Sequence, residues 1–281
     1  MAKSTQIMGS PEEAKSPKDN QDMELQSSLG KIKHKIMVMS GKGGVGKSST
    51  SVNLAVALSK KGFQVGIMDV DLHGPDIPRM LGLTGMLDVN ENRKLVPIAH
   101  SKNLSAISIE SLTPDKDNAI IWRGPIKFSA IKQFIADVEW GDLDYLIIDA
   151  PPGTGDEPLT VAQLIPNAKA LVVTTPQEVS LADVRKSISF CKTVKMDILG
   201  LVENMSGFLC PHCGEPIDLF GSGGGERTAA KAGIHFLGKI PFDPKVVACG
   251  DSGNCIQDAF ADSPVSKAFE ALADQVVKLT E

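Results

Sequence analysis

Gly41-Lys-Gly-Gly-Val-Gly-Lys-Ser48 is the segment of this 281-residue chain that most limits its fold. A run so rich in glycine continues neither a strand nor a helix, because glycine gives up the most backbone freedom in either. The apolar run Ile36–Met39 precedes it, and Lys47–Lys60 follows as an amphipathic helical segment with Leu54, Val56 and Leu58. Strand, glycine loop and helix in that order match GxxxxGK[ST] in its proper context. The glycines let successive backbone N–H groups converge on phosphate oxygens, and the helix N-terminus adds partial positive charge. Gly41, Lys42, Gly43, Gly44, Val45, Gly46, Lys47, Ser48 and Ser49 are therefore the expected nucleotide-binding set. Lys47 is placed to neutralise the β- and γ-phosphates, and the Ser48 hydroxyl to ligate Mg²⁺.

The rest of the chain repeats the alternation. Strands are expected at Ile36–Met39, Gln64–Asp69, Leu104–Ile109, Leu143–Asp149, Ala168–Thr174, Ile198–Glu203 and His235–Ile240. Helices are expected at Lys47–Lys60, Pro125–Asp137, Leu159–Ile165, Leu181–Lys195, Gly225–Lys231 and Pro264–Leu279. Runs such as Tyr145-Leu-Ile-Ile and Ala170-Leu-Val-Val are apolar without alternation, as in strands buried on both faces of a parallel sheet. The pattern predicts an α/β fold: three-layer, doubly wound, with a mostly parallel sheet of about seven or eight strands. Residues 1–34 are rich in Ser, Lys, Glu, Asp and Gln and are expected to form a flexible tail. Residues 35–281 are expected to form a single domain, with a cysteine-bearing loop at 209–216.

Composition excludes several classes. The 29 basic and 34 acidic residues leave a net charge of −5, which disfavours a nucleic-acid or anionic-lipid coat. No apolar run approaches the roughly 18–20 residues of a membrane-spanning helix, and the N-terminus lacks a secretory apolar core. A cytoplasmic chain with reduced thiols is expected, so a close cysteine pair is a metal or redox candidate.

Met68-Asp-Val-Asp-Leu-His-Gly-Pro75 and Leu146-Ile-Ile-Asp149 place carboxylates at strand ends, where parallel sheets bind ligands. In Asp69-Val-Asp71 the two side chains point to opposite faces unless the strand has ended, so the two are expected to have different jobs. Asp149 closes an apolar strand, as a Mg²⁺-holding Walker B aspartate does. Ala150-Pro-Pro-Gly-Thr-Gly-Asp156 suits a loop that senses a γ-phosphate, with Asp156 capping the next helix.

Cys210-Pro-His-Cys213 admits three readings. A redox pair would need a helix N-terminus, and Gly214-Glu-Pro216 is poor helix sequence. A structural zinc knuckle needs four ligands, which Cys249 and Cys255 could complete. Two copies of the pair across a two-fold axis supply four thiolates, the complement of a [4Fe–4S] cluster. Cys191, Cys249 and Cys255 read as buried apolar thiols.

The loop KGGVGKS resembles the deviant Walker A of the MinD/ParA/nitrogenase-iron-protein class. In that class the second-position lysine, here Lys42, reaches the nucleotide of a facing subunit, and Asp71 would orient the attacking water. SGKGGVGKSS, DVDLHGPDIPRMLG, WRGP at Trp122, DAPPGTGDEPLT, VENMSGFLCPHCGE, FGSGGG and IPFD at Ile240 together resemble the Mrp (ApbC-type) family of P-loop ATPases. The resemblance implies a slow, homodimeric ATPase that receives a [4Fe–4S] cluster from a scaffold donor at Cys210 and Cys213 and transfers it to apo-proteins. It implies ATP and Mg²⁺ as cofactors, with Asn204 and Pro241 near the adenine and no nucleic acid or membrane as partner. Asp76 departs from the serine usual after Gly-Pro, and residues 1–35 lack the four cysteines of a eukaryotic-type subgroup. The rival readings are a MinD/ParA-like positioning switch and an ATPase with structural zinc. A membrane-docking C-terminal helix would be basic, whereas Pro264–Glu281 sums to −1 and reads as packed on the sheet.

Overall fold

The computed structural model describes residues 17–71, 74–85, 87–108, 124–210 and 212–281. Leu72, His73, Ile109, Pro211 and the Trp122-Arg123 part of WRGP lie outside the described residues.

In chain order the elements are α1 (Pro17–Gly30), β1 (Ile32–Ser40), α2 (Lys47–Lys60), β2 (Val65–Asp69), α3 (Ile77–Met80), β3 (Asp88–Val89), β4 (Leu95–Val96), β5 (Ile98–Ser101) and β6 (Leu104–Ser108). Then come α4 (Gly124–Asp137), β7 (Leu143–Asp149), α5 (Asp156–Leu164), β8 (Lys169–Thr174), α6 (Glu178–Thr193) and β9 (Ile198–Glu203). The chain ends with β10 (Phe208–Leu209), β11 (Pro216–Ile217), α7 (Gly224–Ala232), β12 (Phe236–Lys239), α8 (Pro244–Asp251), α9 (Ile256–Ala259) and α10 (Pro264–Thr280).

Eight strands form one sheet in the order β12-β9-β8-β1-β7-β2-β6-β5. Every pairing is parallel except β5 with β6. β1 shows why the run Ile36–Met39 is apolar without alternation: Ile36 and Val38 enter the core beneath α2 and α10, while Met37 and Met39 enter cores on the opposite face. With β1 between β7 and β8, the chain leaves toward β2 and later returns past β1 to β8. That reversal opens a crevice at the carboxyl ends of the central strands.

The flexible-tail expectation for residues 1–34 is corrected over its described part. Pro17–Gly30 is a helix, and Ile32 opens the central strand. Leu25 and Leu29, one turn apart, are each 3% exposed in the core shared with α4 and β7. Glu24 pairs with Lys94 at 2.6 Å, and Ser28 Oγ donates to the Val138 carbonyl at 3.1 Å. Two leucines in a polar stretch give too narrow a stripe to read from sequence, yet they suffice once a ready-made groove receives them.

α10 lies against α2 and β12 and buries Val265, Phe269, Leu272 and Val276. Its apolar face is thus occupied by the core. Among the described residues no helix is long and apolar enough to cross a membrane.

Candidate functional site

The loop of residues 41–46 leaves β1 at Ser40 and enters α2 at Lys47. Gly46 sits at the helix N-cap with φ 82°, and a Cβ there would overlap the Asn204 side-chain nitrogen. Only glycine meets both demands. Lys42 is half-buried, and its carbonyl accepts from Ser40 Oγ at 2.8 Å.

Lys47 and Asp149 form a buried ion pair, Nζ to Oδ2 at 2.7 Å, with exposures of 7% and 0%. Ser48 Oγ donates to the same oxygen at 2.7 Å, and Ser51 Oγ donates to Oδ1 at 2.6 Å. The Ser48 hydroxyl and Asp149 carboxylate are hard oxygen donors that suit Mg²⁺. Ser51 was not singled out from the sequence. Its position three residues after Ser48, on the same helix face, was the available signal.

β2 ends at Asp69, so the opposite-face rule lapses for the next carboxylate. Asp71 Oδ2 stands 3.9 Å from Lys47 Nζ, and Asp71 Oδ1 accepts from Gly74 N–H at 3.3 Å. Asp69 Oδ1 accepts from Asp71 N–H at 3.1 Å and Oδ2 from Ile77 N–H at 3.3 Å, which anchors both ends of the 71–77 segment. Burial, and then the charge of Asp149 at the same register on β7, hold the Asp69 carboxyl well above the usual carboxylate range.

Asp156 is not the expected cap. Gly155 occupies the N-cap position in extended backbone, and Asp156 is the first residue of α5. Its carbonyl accepts from Thr160 Oγ1 at 2.8 Å.

Beside the loop lies a cavity of about 350 Å³, lined by Gly44, Gly46, Ser49, Asp76, Asn204 and Pro241. Arg79, Met80, Phe242 and Val246 also line it; the first three lie inside the DVDLHGPDIPRMLG and IPFD motifs without a role of their own, and Val246 carries no sequence signal. Asn204 Nδ2 donates to the Val45 carbonyl at 2.9 Å, tying the end of β9 to the glycine loop.

That same segment runs directly to the cysteine pair. Phe242, on the cavity wall, donates its N–H to the Gly207 carbonyl at 2.8 Å. Its ring meets Phe208 edge-on at 5.8 Å and Phe220 at 6.0 Å. β10 and β11 form a hairpin whose turn carries Cys210, half-buried, and Cys213, exposed. Cys210 N–H donates to the Glu215 carbonyl at 3.0 Å, and Gly214 N–H to the Cys210 carbonyl at 2.8 Å. The backbone N–H groups of Cys213 and His212, with the Cys213 thiol, hold the Cys210 thiol below its usual range. No helix starts there, which removes the basis of the thioredoxin-like reading.

Among the described residues, no His, Cys, Asp or Glu stands near enough to join Cys210 and Cys213 as a third ligand. Cys249 and Cys255 are buried elsewhere, in the core beneath α2 and α10. Burial pushes the thiols of Cys191 and Cys255 up to about 11 and raises that of Cys249. Brief iodoacetamide treatment of the native chain at neutral pH is therefore expected to label Cys210 and Cys213 well before Cys191 or Cys255. Peptide mass spectrometry reads the order, and the Cys210 rate should reach its plateau at lower pH than an ordinary thiol.

The family model of NUBPL iron-transfer P-loop NTPases matches residues 31–277. The chain belongs to this family. A cytosolic Fe–S cluster assembly factor, the NUBP2 homolog of Dictyostelium discoideum, is 52% identical over 251 residues, 87% of this chain and 93% of that protein. An iron–sulfur cluster carrier protein of Methanocaldococcus jannaschii is 47% identical over 262 residues, 93% of this chain and 90% of its own. Among solved structures, a nucleotide-binding protein of Archaeoglobus fulgidus in complex with ADP superposes with a TM-score of 0.73 at 42% identity, covering 83% of this chain and 91% of that one. The NUBPL-type match spans the crevice, the cavity and the cysteine hairpin alike, and the mostly parallel eight-stranded sheet is the fold expected of a P-loop NTPase.

Proposed function

We propose that this NUBPL-family chain is a cytoplasmic, homodimeric ATPase that carries a [4Fe–4S] cluster between two copies of Cys210 and Cys213 and passes it to apo-proteins. One observation carries the reading: two accessible thiols, one of them lowered, stand on a hairpin that packs through Phe208 against the cavity-wall residue Phe242, with no third ligand in reach among the described residues. Two thiolates of one chain close neither a tetrahedral zinc site nor a four-cysteine cluster, so a second copy must supply the other pair, and two such pairs meet the four-cysteine need of a cluster. The names of the relatives agree with iron–sulfur cargo and with a cytosolic location.

The nucleotide reading rests on the crevice. Gly41–Ser49 would wrap the phosphates, Lys47 would move from Asp149 to the β- and γ-phosphates, and the cavity flanked by Asn204 and Pro241 would take the base. Ser48 and Asp149 would hold Mg²⁺, which when bound offsets phosphate charge. Asp71 lies beside Lys47 and would orient a water that attacks the γ-phosphorus, the β–γ bridging bond breaking toward ADP. Lys42 would close the site of the facing copy. Hydrolysis would then change how the copies face each other, and with that how tightly four thiolates grip the cluster.

Transfer from the reconstituted dimer to an apo-[4Fe–4S] protein, with phosphate release followed in parallel, tests this coupling. Lys42→Ala is expected to lower hydrolysis at least about tenfold, the loss of one transition-state cation, and to change transfer with it. Unchanged hydrolysis together with unchanged transfer would sink the coupling. The positioning-switch reading is disfavoured by the occupied apolar face of α10, and pelleting with liposomes or DNA in ATP is expected to leave the chain in solution.

A further inference from the structure

A second group of metal-ligating side chains stands apart from both the crevice and the cysteine hairpin. Cys255 Sγ lies 3.7 Å from His100 Nε2. With Asp258 added, the three donor atoms all lie within 4.8 Å of one another. His100 comes from the edge strand β5, and Cys255 and Asp258 from the start of α9, so the cluster joins segments 155 residues apart.

We propose that His100, Cys255 and Asp258 form a site for a divalent ion of the zinc class, distinct from the Cys210/Cys213 pair. The spacing is the first ground. Zn–N of about 2.0–2.1 Å and Zn–S of about 2.3 Å at a tetrahedral angle put nitrogen and sulfur ~3.5 Å apart. The observed 3.7 Å needs almost no adjustment. The donor set is the second ground: thiolate, imidazole and carboxylate together suit Zn²⁺ or Co²⁺ and match poorly the all-oxygen shells of Mg²⁺ or Ca²⁺. With the Cys255 proton released to solvent on binding, thiolate and carboxylate balance the charge of a divalent ion.

The ligands sit on braced backbone. Gln257, between two of them and 1% exposed, donates Nε2 to the Asn53 carbonyl of α2 at 2.7 Å. Lys60 Nζ pairs with Asp258 Oδ1 at 2.6 Å and also donates to the Gln257 carbonyl at 2.7 Å, which sets the carboxylate and leaves its second oxygen for the ion. Cys255 is 4% exposed, His100 half-buried and Asp258 exposed. The cluster therefore has a closed floor and an open rim, with the fourth position left to water. Three protein ligands and one open position make a site that loads and releases its ion more readily than a closed four-ligand knuckle.

The test uses the full-length Cys210→Ser/Cys213→Ser chain, so that the hairpin cannot contribute, titrated anaerobically with Co²⁺. The expected result is one equivalent bound, with a thiolate-to-cobalt charge-transfer band in the near ultraviolet and the visible bands of four-coordinate cobalt. Adding Cys255→Ser should abolish the charge-transfer band. His100→Ala or Asp258→Asn, both nearer the surface and gentle on folding, should each weaken binding by at least about tenfold. Zn²⁺ should displace the cobalt and raise the Tm of the background chain but not of its His100→Ala form. No charge-transfer band, or a band that survives Cys255→Ser and disappears only with Cys249→Ser, would overturn the assignment and leave an S–H···N contact in its place.

Discussion

Lys47→Ala is expected to destabilise the chain by about 3–5 kcal/mol, the usual result of removing one partner from a buried ion pair, and to eliminate nucleotide binding. The Lys47 ammonium is 7% exposed and lies 2.7 Å from a carboxylate that is 0% exposed. Without it, Asp149 keeps the hydroxyls of Ser48 and Ser51 but no cation at hydrogen-bond distance. Asp69, next to it on β2, is already raised by burial first and by Asp149 second, with Lys47 opposing. Loss of the lysine pushes that carboxyl further up. A folded-state pKa raised above the unfolded value gives stability that is present below the unfolded pKa and lost as pH rises through the folded one. The deficit of Lys47→Ala should therefore be smaller under acidic conditions than at neutral pH. Urea midpoints at two pH values read the stability, and a fluorescent ATP analogue reads binding. Lys47→Ala/Asp149→Asn should recover much of the stability and none of the binding. Wild-type stability in the single variant would mean that the buried pair is not formed in solution.

The parts of the molecule legible in the sequence are those that chain neighbours determine. β1, the glycine loop and α2 announce themselves because strand, turn and helix propensities change within about 25 residues, each over a length its element needs. Tyr145–Ile148 and Ala170–Val173 mark central strands, since only strands covered on both faces drop the polar alternation. α1 was hidden because its evidence is the groove that Leu25 and Leu29 fill, which other segments build. β5 was hidden because Ile98-Ala-His-Ser101 is short and alternates weakly, and it exists as a strand by pairing with β6. At the site, Lys47, Ser48 and Asp149 are marked by local pattern. The hold of Asp69 on Ile77, the reach of Asn204 to Val45, and the meeting of His100 with Cys255 are long-range juxtapositions that no local pattern encodes.

Iron and sulfide content separates the cluster reading from its rivals. The wild-type chain, reconstituted anaerobically, is expected to hold about four iron and four sulfide per pair of chains, and Cys210→Ser/Cys213→Ser to hold none. Each single variant should fail nearly as completely, because across a two-fold axis one substitution removes two ligands and leaves two. Cys249→Ser and Cys255→Ser should keep full iron content, since both sulfurs lie in the core beneath α2 and α10 rather than at the hairpin. Sedimentation should show the loaded wild type as a dimer and the double-serine chain unable to gain that cluster-dependent association. Zinc without iron in the wild type, lost in Cys210→Ser/Cys213→Ser, would reinstate the structural-knuckle reading. That outcome would require two further ligands for Cys210 and Cys213, and the described residues of one chain offer none in reach. Even the zinc result would therefore put a second chain against the hairpin, beside the cavity whose wall residue Phe242 packs against Phe208.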